Sequence, residues 1–313
     1  MDIIEPRLLT GQALAYTRSE LIALGVASRS IRRELYRAPE LRLSRGIYAA
    51  ANLPEGSEYA GLLQALAGAG PYTVSYETAG ILWGLLDRPL EPPFHLTAGP
   101  GGPRIRRPGT VVAHRSKIPA EFLRTVGGLQ ITNPAWTWLD LALGLPVSEA
   151  LVLADRVIYV PRGRGRALAT QKDLHAALAA RGPARGVRNA REAAWLGRVG
   201  ADSPPESRLR YYCHLRGLPE VSVNPLIGDQ HGEAFFRPDL AFLEFKVAVQ
   251  YEGQLFHSTP ERVLKDVRRQ EVTEALGWVE VRITKEHMRN GGSAAIRKIR
   301  AKLIERGWNS GAG

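Results

Sequence analysis

Cys213 is the only cysteine in 313 residues, which rules out both a disulfide framework and a cysteine-rich zinc cluster as ways of holding this chain together. Whatever it folds into must rest on buried apolar surface. Hydrophobic residues make up 44% and charged residues 23%, the balance of a folded chain rather than a disordered one. The length exceeds what one hydrophobic core usually serves, so it predicts two or three domains. Met1 to Pro6 lack the basic-then-apolar order of a signal peptide, and no apolar run approaches the length of a membrane span. The sequence therefore predicts a cytoplasmic protein without a membrane partner.

Forty-two basic residues face 31 acidic ones, giving +11, and an excess of that size calls for a polyanionic partner, nucleic acid first. Seven of the 42 are lysine, so the charge is mostly guanidinium, suited to bidentate contacts with phosphate and guanine. Between residues 156 and 198 ten bases meet only Asp173 and Glu192. Arg185, Arg188 and Arg191 recur there every three residues and, on a helix, form a stripe along one side. That stripe is read as a phosphate-tracking strip.

Thr17 followed by Glu20 has the spacing of a capping box, so a short helix is expected to start there and to end at Gly25. Ser28 is placed to cap a second helix over Arg29 to Arg37, with Ile31 and Leu35 turned inward. Arg29, Arg32, Arg33 and Arg37 occupy its remaining surface, where a recognition helix meets the major groove. Residues 41–49 alternate around Ser44-Arg45-Gly46 and read as a hairpin wing that carries Arg45. Together these describe a winged helix-turn-helix.

The next hundred residues hold helical and strand-like segments but no chemical motif. His95 and His114 fall on apolar strands and read as hydrogen-bonded core histidines. Leu8-Leu-Thr10, Ser30-Ile-Arg-Arg33, Arg45-Gly-Ile-Tyr48, Pro93-Phe-His-Leu-Thr97, His114-Arg-Ser116 and Thr132-Asn-Pro-Ala135 with Leu139-Asp-Leu141 follow in an order that resembles the AbiEi-type antitoxin family over residues 5–160. The resemblance implies a winged helix that binds operator DNA and represses its own operon. It also implies a following α/β antitoxin domain and a nucleotidyltransferase-like toxin as genetic partner.

In the last third, a helix starts at Ser203-Pro-Pro-Glu206 and ends at Gly217. Strand-like runs follow at 234–242, 247–252 and 279–284, with a charged helix at 261–276 before the last. This α, β, β, α, β order is expected of a restriction-endonuclease-like core, where carboxylates on a strand pair collect a divalent cation. With the turn centred on Glu244-Phe245, Asp239 lies opposite Gln250 and Arg237 opposite Glu252, all on one face. Glu244-Phe-Lys246 imitates the Glu-x-Lys of PD-(D/E)XK nucleases but sits about 16 Å along the hairpin from Asp239, too far to share an ion.

Arg237-Pro-Asp-Leu-Ala241, Val247-Ala-Val-Gln-Tyr-Glu-Gly253, His257, Lys265-Asp-Val-Arg-Arg269 and Gly277-Trp278 resemble the nuclease-like domain related to very-short-patch-repair endonucleases, over residues 200–305. The resemblance implies Mg²⁺- or Mn²⁺-dependent phosphodiester hydrolysis by Glu206, Asp239, Glu252 and His257. Asp239 and Glu252 would be the metal ligands, Gln250 would orient water or substrate, and Arg269 would stand near the scissile phosphate. Gln250 stands where the broader fold has a carboxylate, and Glu206 also fits a structural role beside Ser203.

The expected architecture is thus α/β multidomain, α+β overall. It comprises a winged helix-turn-helix at 1–50, an AbiEi-antitoxin-like α/β domain at 51–160, an Arg-rich helical linker at 161–200 and an endonuclease-like domain at 201–313. Two functions compete. One is a DNA-directed nuclease targeted by the winged helix. The other is a non-enzymatic, antitoxin-like autorepressor whose nuclease fold only binds nucleic acid.

Overall fold

The computed structural model describes residues 14–38, 40, 42–50, 56–160, 165–228, 235–252, 267 and 270–309. The chain is α+β and forms two compact units, residues 1–144 with 168–188, and 145–167 with 189–313. Residues 147–158 and 189–200 fall in the second unit and 168–188 in the first.

The first unit begins with β1 (Ala15–Thr17), α1 (Arg18–Ala23), α2 (Ser28–Arg37), β2 (Arg42–Ser44) and β3 (Ile47–Ala49). The strands form a sheet in the order β1-β3-β2. The Thr17–Glu20 capping box is present in both directions, with Glu20 N donating to Thr17 Oγ1 at 3.2 Å and Thr17 N to Glu20 Oε2 at 2.6 Å. Ser28 does not cap α2, as its spacing had suggested. The N-cap is Ala27, and the Ser28 hydroxyl instead accepts from Arg18 Nη2 at 2.9 Å. Ile31 is buried as expected, whereas Leu24 is exposed.

After α3 (Glu58–Gly68) come β4 (Tyr72–Val74), α4 (Tyr76–Leu82), β5 (Phe94–Ala98), β6 (Val111–Arg115), β7 (Leu123–Val126), β8 (Leu129–Thr132) and α5 (Pro134–Ala142). The five strands pair in the order β6-β5-β4-β8-β7. Asn133 caps α5 by accepting from Trp136 N at 2.9 Å, and Pro134 in the first turn needs no amide partner. Phe94, Leu96, Ile131, Trp136 and Trp138 are fully buried here.

The second unit contains α6 (Val147–Ile158), α9 (Pro204–Leu215), α10 (Arg289–Glu305) and a four-stranded sheet. Between α6 and α9 in the chain lie α7 (Gln171–Arg181), which belongs to the first unit, and α8 (Val187–Leu196). The sheet order is β14 (Val279–Thr284), β13 (Val247–Glu252), β12 (Leu240–Phe242), β9 (Ser222–Val223), and β13 and β14 run parallel. A separate pair joins β10 (Ile227–Gly228) to β11 (Phe235–Phe236). Leu240, Phe242, Val247, Val249, Val281 and Ile283 turn to the core that also takes Leu209, Cys213, Ile296 and Ile299. Ala241 and Ala248 point the other way, toward Phe236 and Trp278. The hairpin register is Leu240–Val249 and Phe242–Val247, so the turn centre is Glu244-Phe245.

One buried ion pair fixes α9 against α6. Asp155 Oδ2 accepts from Arg210 Nη2 at 2.5 Å and from Ser207 Oγ at 2.6 Å, and its Oδ1 accepts from Arg198 N at 2.9 Å. The two charged side chains are 2% and 5% exposed. Burial pushes the Asp155 carboxyl up, and the guanidinium pulls it back. Removing one partner strands the other charge in the interior, which costs about 3–5 kcal/mol. Asp155→Ala is expected to destabilise by that amount in urea unfolding, whereas a loss below about 1 kcal/mol would mean that the pair behaves as a surface salt bridge.

Candidate functional site

The acids proposed from the sequence converge in part. Asp239 lies one residue before β12, and its carboxylate accepts from Gln250 Nε2 at 2.9 Å and from Tyr251 N at 2.6 Å. Glu206, buried in the first turn of α9, accepts from Ser203 Oγ at 2.7 Å, Asp202 N at 3.1 Å and Asn224 Nδ2 at 2.8 Å. Asn224 in turn donates its backbone N–H to the Asp239 carbonyl at 2.9 Å. Glu206 and Asp239 are therefore linked through one residue.

Glu252 is held differently. Parallel pairing sets Arg282 beside Gln250, and Arg282 bridges Glu252 at 3.2 Å and Glu280 at 2.7 Å. Glu252, the acid that would complete a two-carboxylate site with Asp239, is thus paired with a guanidinium that it shares with Glu280. Arg237 does not meet Glu252 in a ladder, because β12 starts only at Leu240; it reaches the Asn224 carbonyl at 3.4 Å. Among the described residues no three His, Cys, Asp or Glu side chains form a metal-binding group.

The Gln250 Oε1 is buried without a hydrogen-bond partner there, but one amide oxygen beside Asp239 does not supply the charge of a second carboxylate. Among the described residues Asp239 is therefore joined by an amide and not by a second carboxylate. His257 and Arg269 lie outside the described residues. Glu244 and Lys246 occupy the exposed turn 243–246, away from Asp239.

The basic candidates face solvent. Arg29, Arg32, Arg33 and Arg37 are exposed along α2 and Arg45 at the β2–β3 turn, with Arg33 and Arg37 near Glu34 at 3.6 and 3.7 Å. Tyr36 is 91% exposed on the same helix. Arg185, Arg188 and Arg191 are also exposed, but Arg185 is not helical. It precedes Gly186, whose φ is +82° and where a Cβ would lie 1.9 Å from the Leu143 carbonyl oxygen. The chain must turn there, and α8 starts after it.

A polar cluster in the first unit had no sequence signal beyond its histidines. Arg181, at the end of α7, pairs with Asp140 of α5, donates to Ser116 Oγ at 3.2 Å and lies over the Trp136 ring at 4.7 Å. Burial pushes the Asp140 carboxyl up to about 7 against the pull of that guanidinium. His114 Nε2 and His95 Nδ1 are 3.0 Å apart, and the His114 ring stacks on Tyr76 at 3.8 Å. Burial lowers both imidazoles, His114 to about 4, so the pair is neutral at pH 7.

Two expected outcomes follow from these arrangements. Gln250→Glu places a second carboxylate against Asp239 and is expected to cost about 1–3 kcal/mol above pH 7, with Tm recovered by millimolar Mg²⁺. Millimolar Mg²⁺ is expected to leave the wild-type Tm unchanged, and a rise there would show that the native acids hold the ion. Because the Asp140 carboxyl is raised, the folded chain keeps a proton that the unfolded chain has released, so its contribution to stability falls between about pH 4 and about pH 7. Asp140→Asn is expected to remove that fall in urea unfolding followed across the window, and an unchanged profile would assign the titration elsewhere.

Comparison with known proteins finds similarity over part of the chain. Residues 72–193 match the family described as AbiEi antitoxin C-terminal domain. The chain is 29% identical over 211 residues to two proteins of Mycobacterium tuberculosis, Uncharacterized protein MT2308 of strain CDC 1551 / Oshkosh and Uncharacterized protein Rv2248 of strain ATCC 25618 / H37Rv, covering 67% of this chain and 74% of each relative. The crystal structure of RV2827C protein from Mycobacterium tuberculosis aligns with 69% of this chain and 84% of its own at 15% identity, with a TM-score of 0.40. The antitoxin-domain match covers β4 through most of α8 and so includes the Tyr76–His95–His114–Asp140–Arg181 cluster.

Proposed function

We propose that this chain is a DNA-binding regulator of the antitoxin type. The observation that carries the reading is the AbiEi antitoxin match at 72–193, preceded, ahead of α3, by a helix–turn–helix and hairpin whose second helix exposes four arginines. In this reading residues 15–49 form a winged helix that docks α2 in the major groove of operator DNA, and Arg45 on the wing meets the backbone. The 72–193 domain engages a toxin, of the nucleotidyltransferase-like type that the resemblance implies, and the protein acts in the cytoplasm. The exposed Arg188 and Arg191 add phosphate contacts.

The C-terminal unit supports a restriction-endonuclease-like fold that binds without turnover. Its mixed sheet places Asp239 and Gln250 side by side, while Arg282 pairs with Glu252 and Glu280. Catalysis by two carboxylates on one metal is therefore not assigned to this chain.

The test is fluorescence anisotropy on DNA from upstream of the chain's own coding sequence. Selective binding is expected, with log K falling by about 0.9 per phosphate contacted as log salt rises. Arg32→Ala plus Arg33→Ala is expected to weaken it at least about tenfold and to flatten the salt slope by about 1–2. Equal affinity for a scrambled duplex would overturn the regulator reading. Mg²⁺- or Mn²⁺-dependent nicking of plasmid, abolished by Asp239→Ala, would restore the nuclease reading.

A further inference from the structure

The first unit contains a cavity of about 360 Å³ between its five-stranded sheet and the segment 103–106, within the range of small-molecule sites and too small to admit a duplex. Its floor is apolar and comes from neighbouring strands, Leu96 and Ala98 of β5 with Ala113 of β6. Tyr72 of β4 contributes an aromatic wall. The Tyr72 ring lies against Gly70, where a Cβ would come within 2.7 Å of Cε2, so the residue at 70 sets where that ring can stand.

The charge around this floor has one sign. Arg104, Arg106 and Arg115 line the cavity, and no Asp or Glu does among the described residues. Arg115 Nη2 is used once, on the Gly102 carbonyl at 2.9 Å. Arg104 and Arg106 make no ion pair with any described residue. Three arginines that line one cavity without a carboxylate favour an anion there, and the guanidinium fork suits phosphate oxygens. A bare anion would use the arginines but leave the apolar floor and the ring without a partner. A flat aromatic group bearing phosphate uses all three, because the base covers the floor beside Tyr72 while the phosphates meet the guanidinium rim.

We infer that this cavity is a binding site for a nucleotide, either free or as one unit of a single strand. The ligand is distinct from the duplex proposed for α2. The test is isothermal titration calorimetry on the full chain with ATP, pyrophosphate and an oligothymidylate single strand. ATP is expected to bind in the micromolar range and pyrophosphate at least about tenfold more weakly. Arg104→Glu plus Arg106→Glu, both exposed positions, is expected to weaken ATP at least about tenfold with an unchanged circular dichroism spectrum. Tyr72→Ala is expected to weaken ATP while leaving pyrophosphate as it was.

Absence of heat with millimolar ATP would overturn the assignment. So would ATP binding indifferent to the double substitution, or pyrophosphate binding as tight as ATP. A single strand that displaces ATP and binds more tightly supports the site with the strand as the source, and failure to compete supports it with the free nucleotide. Arg32→Ala plus Arg33→Ala is expected to leave ATP binding unchanged, so loss of this site and loss of operator binding are read separately.

Discussion

An arginine facing a buried carboxylate recurs in both units, and each pair ties one helix to another. In the first unit Arg181 of α7 meets Asp140 of α5; in the second, Arg210 of α9 meets Asp155 of α6. A chain with a single cysteine has no covalent clamp for such positions, and apolar packing tolerates sliding better than a charge that has no other partner. Both pairs gather further polar groups, Ser116 and the Trp136 face around Arg181, Ser207 and the Arg198 amide around Asp155. With α9 held in this way, Glu206 in its first turn reaches Asn224, and through it the strand end that carries Asp239.

What the sequence disclosed was local. The Thr17–Glu20 box is a three-residue signal that fixes its own partners, and the hairpin around Glu244-Phe245 is short enough that alternation alone determines its register. Arg282 escaped because β13 and β14 run parallel and are separated by a long connection, so no turn reveals which residue of one faces which of the other. Asp140 and Arg181 are 41 residues apart, each on a helix that reads as ordinary. Arg185 was assigned to a helical stripe because its spacing was right, but the close approach of Gly186 to the Leu143 carbonyl belongs to tertiary structure and leaves no trace in periodicity.

The same difference separates the two functional readings. Asp239, Gln250 and Glu252 lie on one face as strand alternation requires, yet a metal site depends on net charge as much as on placement. Arg282 pairs with both Glu252 and Glu280 and so offsets part of the negative field near Asp239. The second unit thus keeps Asp239 and Gln250 in contact while Glu252 is paired with Arg282.

Arg107 donates to the carbonyl of Arg45 at 2.8 Å, so the tip of the N-terminal hairpin is tethered to the same short stretch of backbone that roofs the arginine-lined cavity. A second hollow, of about 210 Å³, shares Tyr72, Arg104, Ile105 and Arg106 with the first, leaving this stretch with open space on two sides. A hydrogen bond therefore joins the tip of the β2–β3 hairpin to a backbone segment bordered by two hollows.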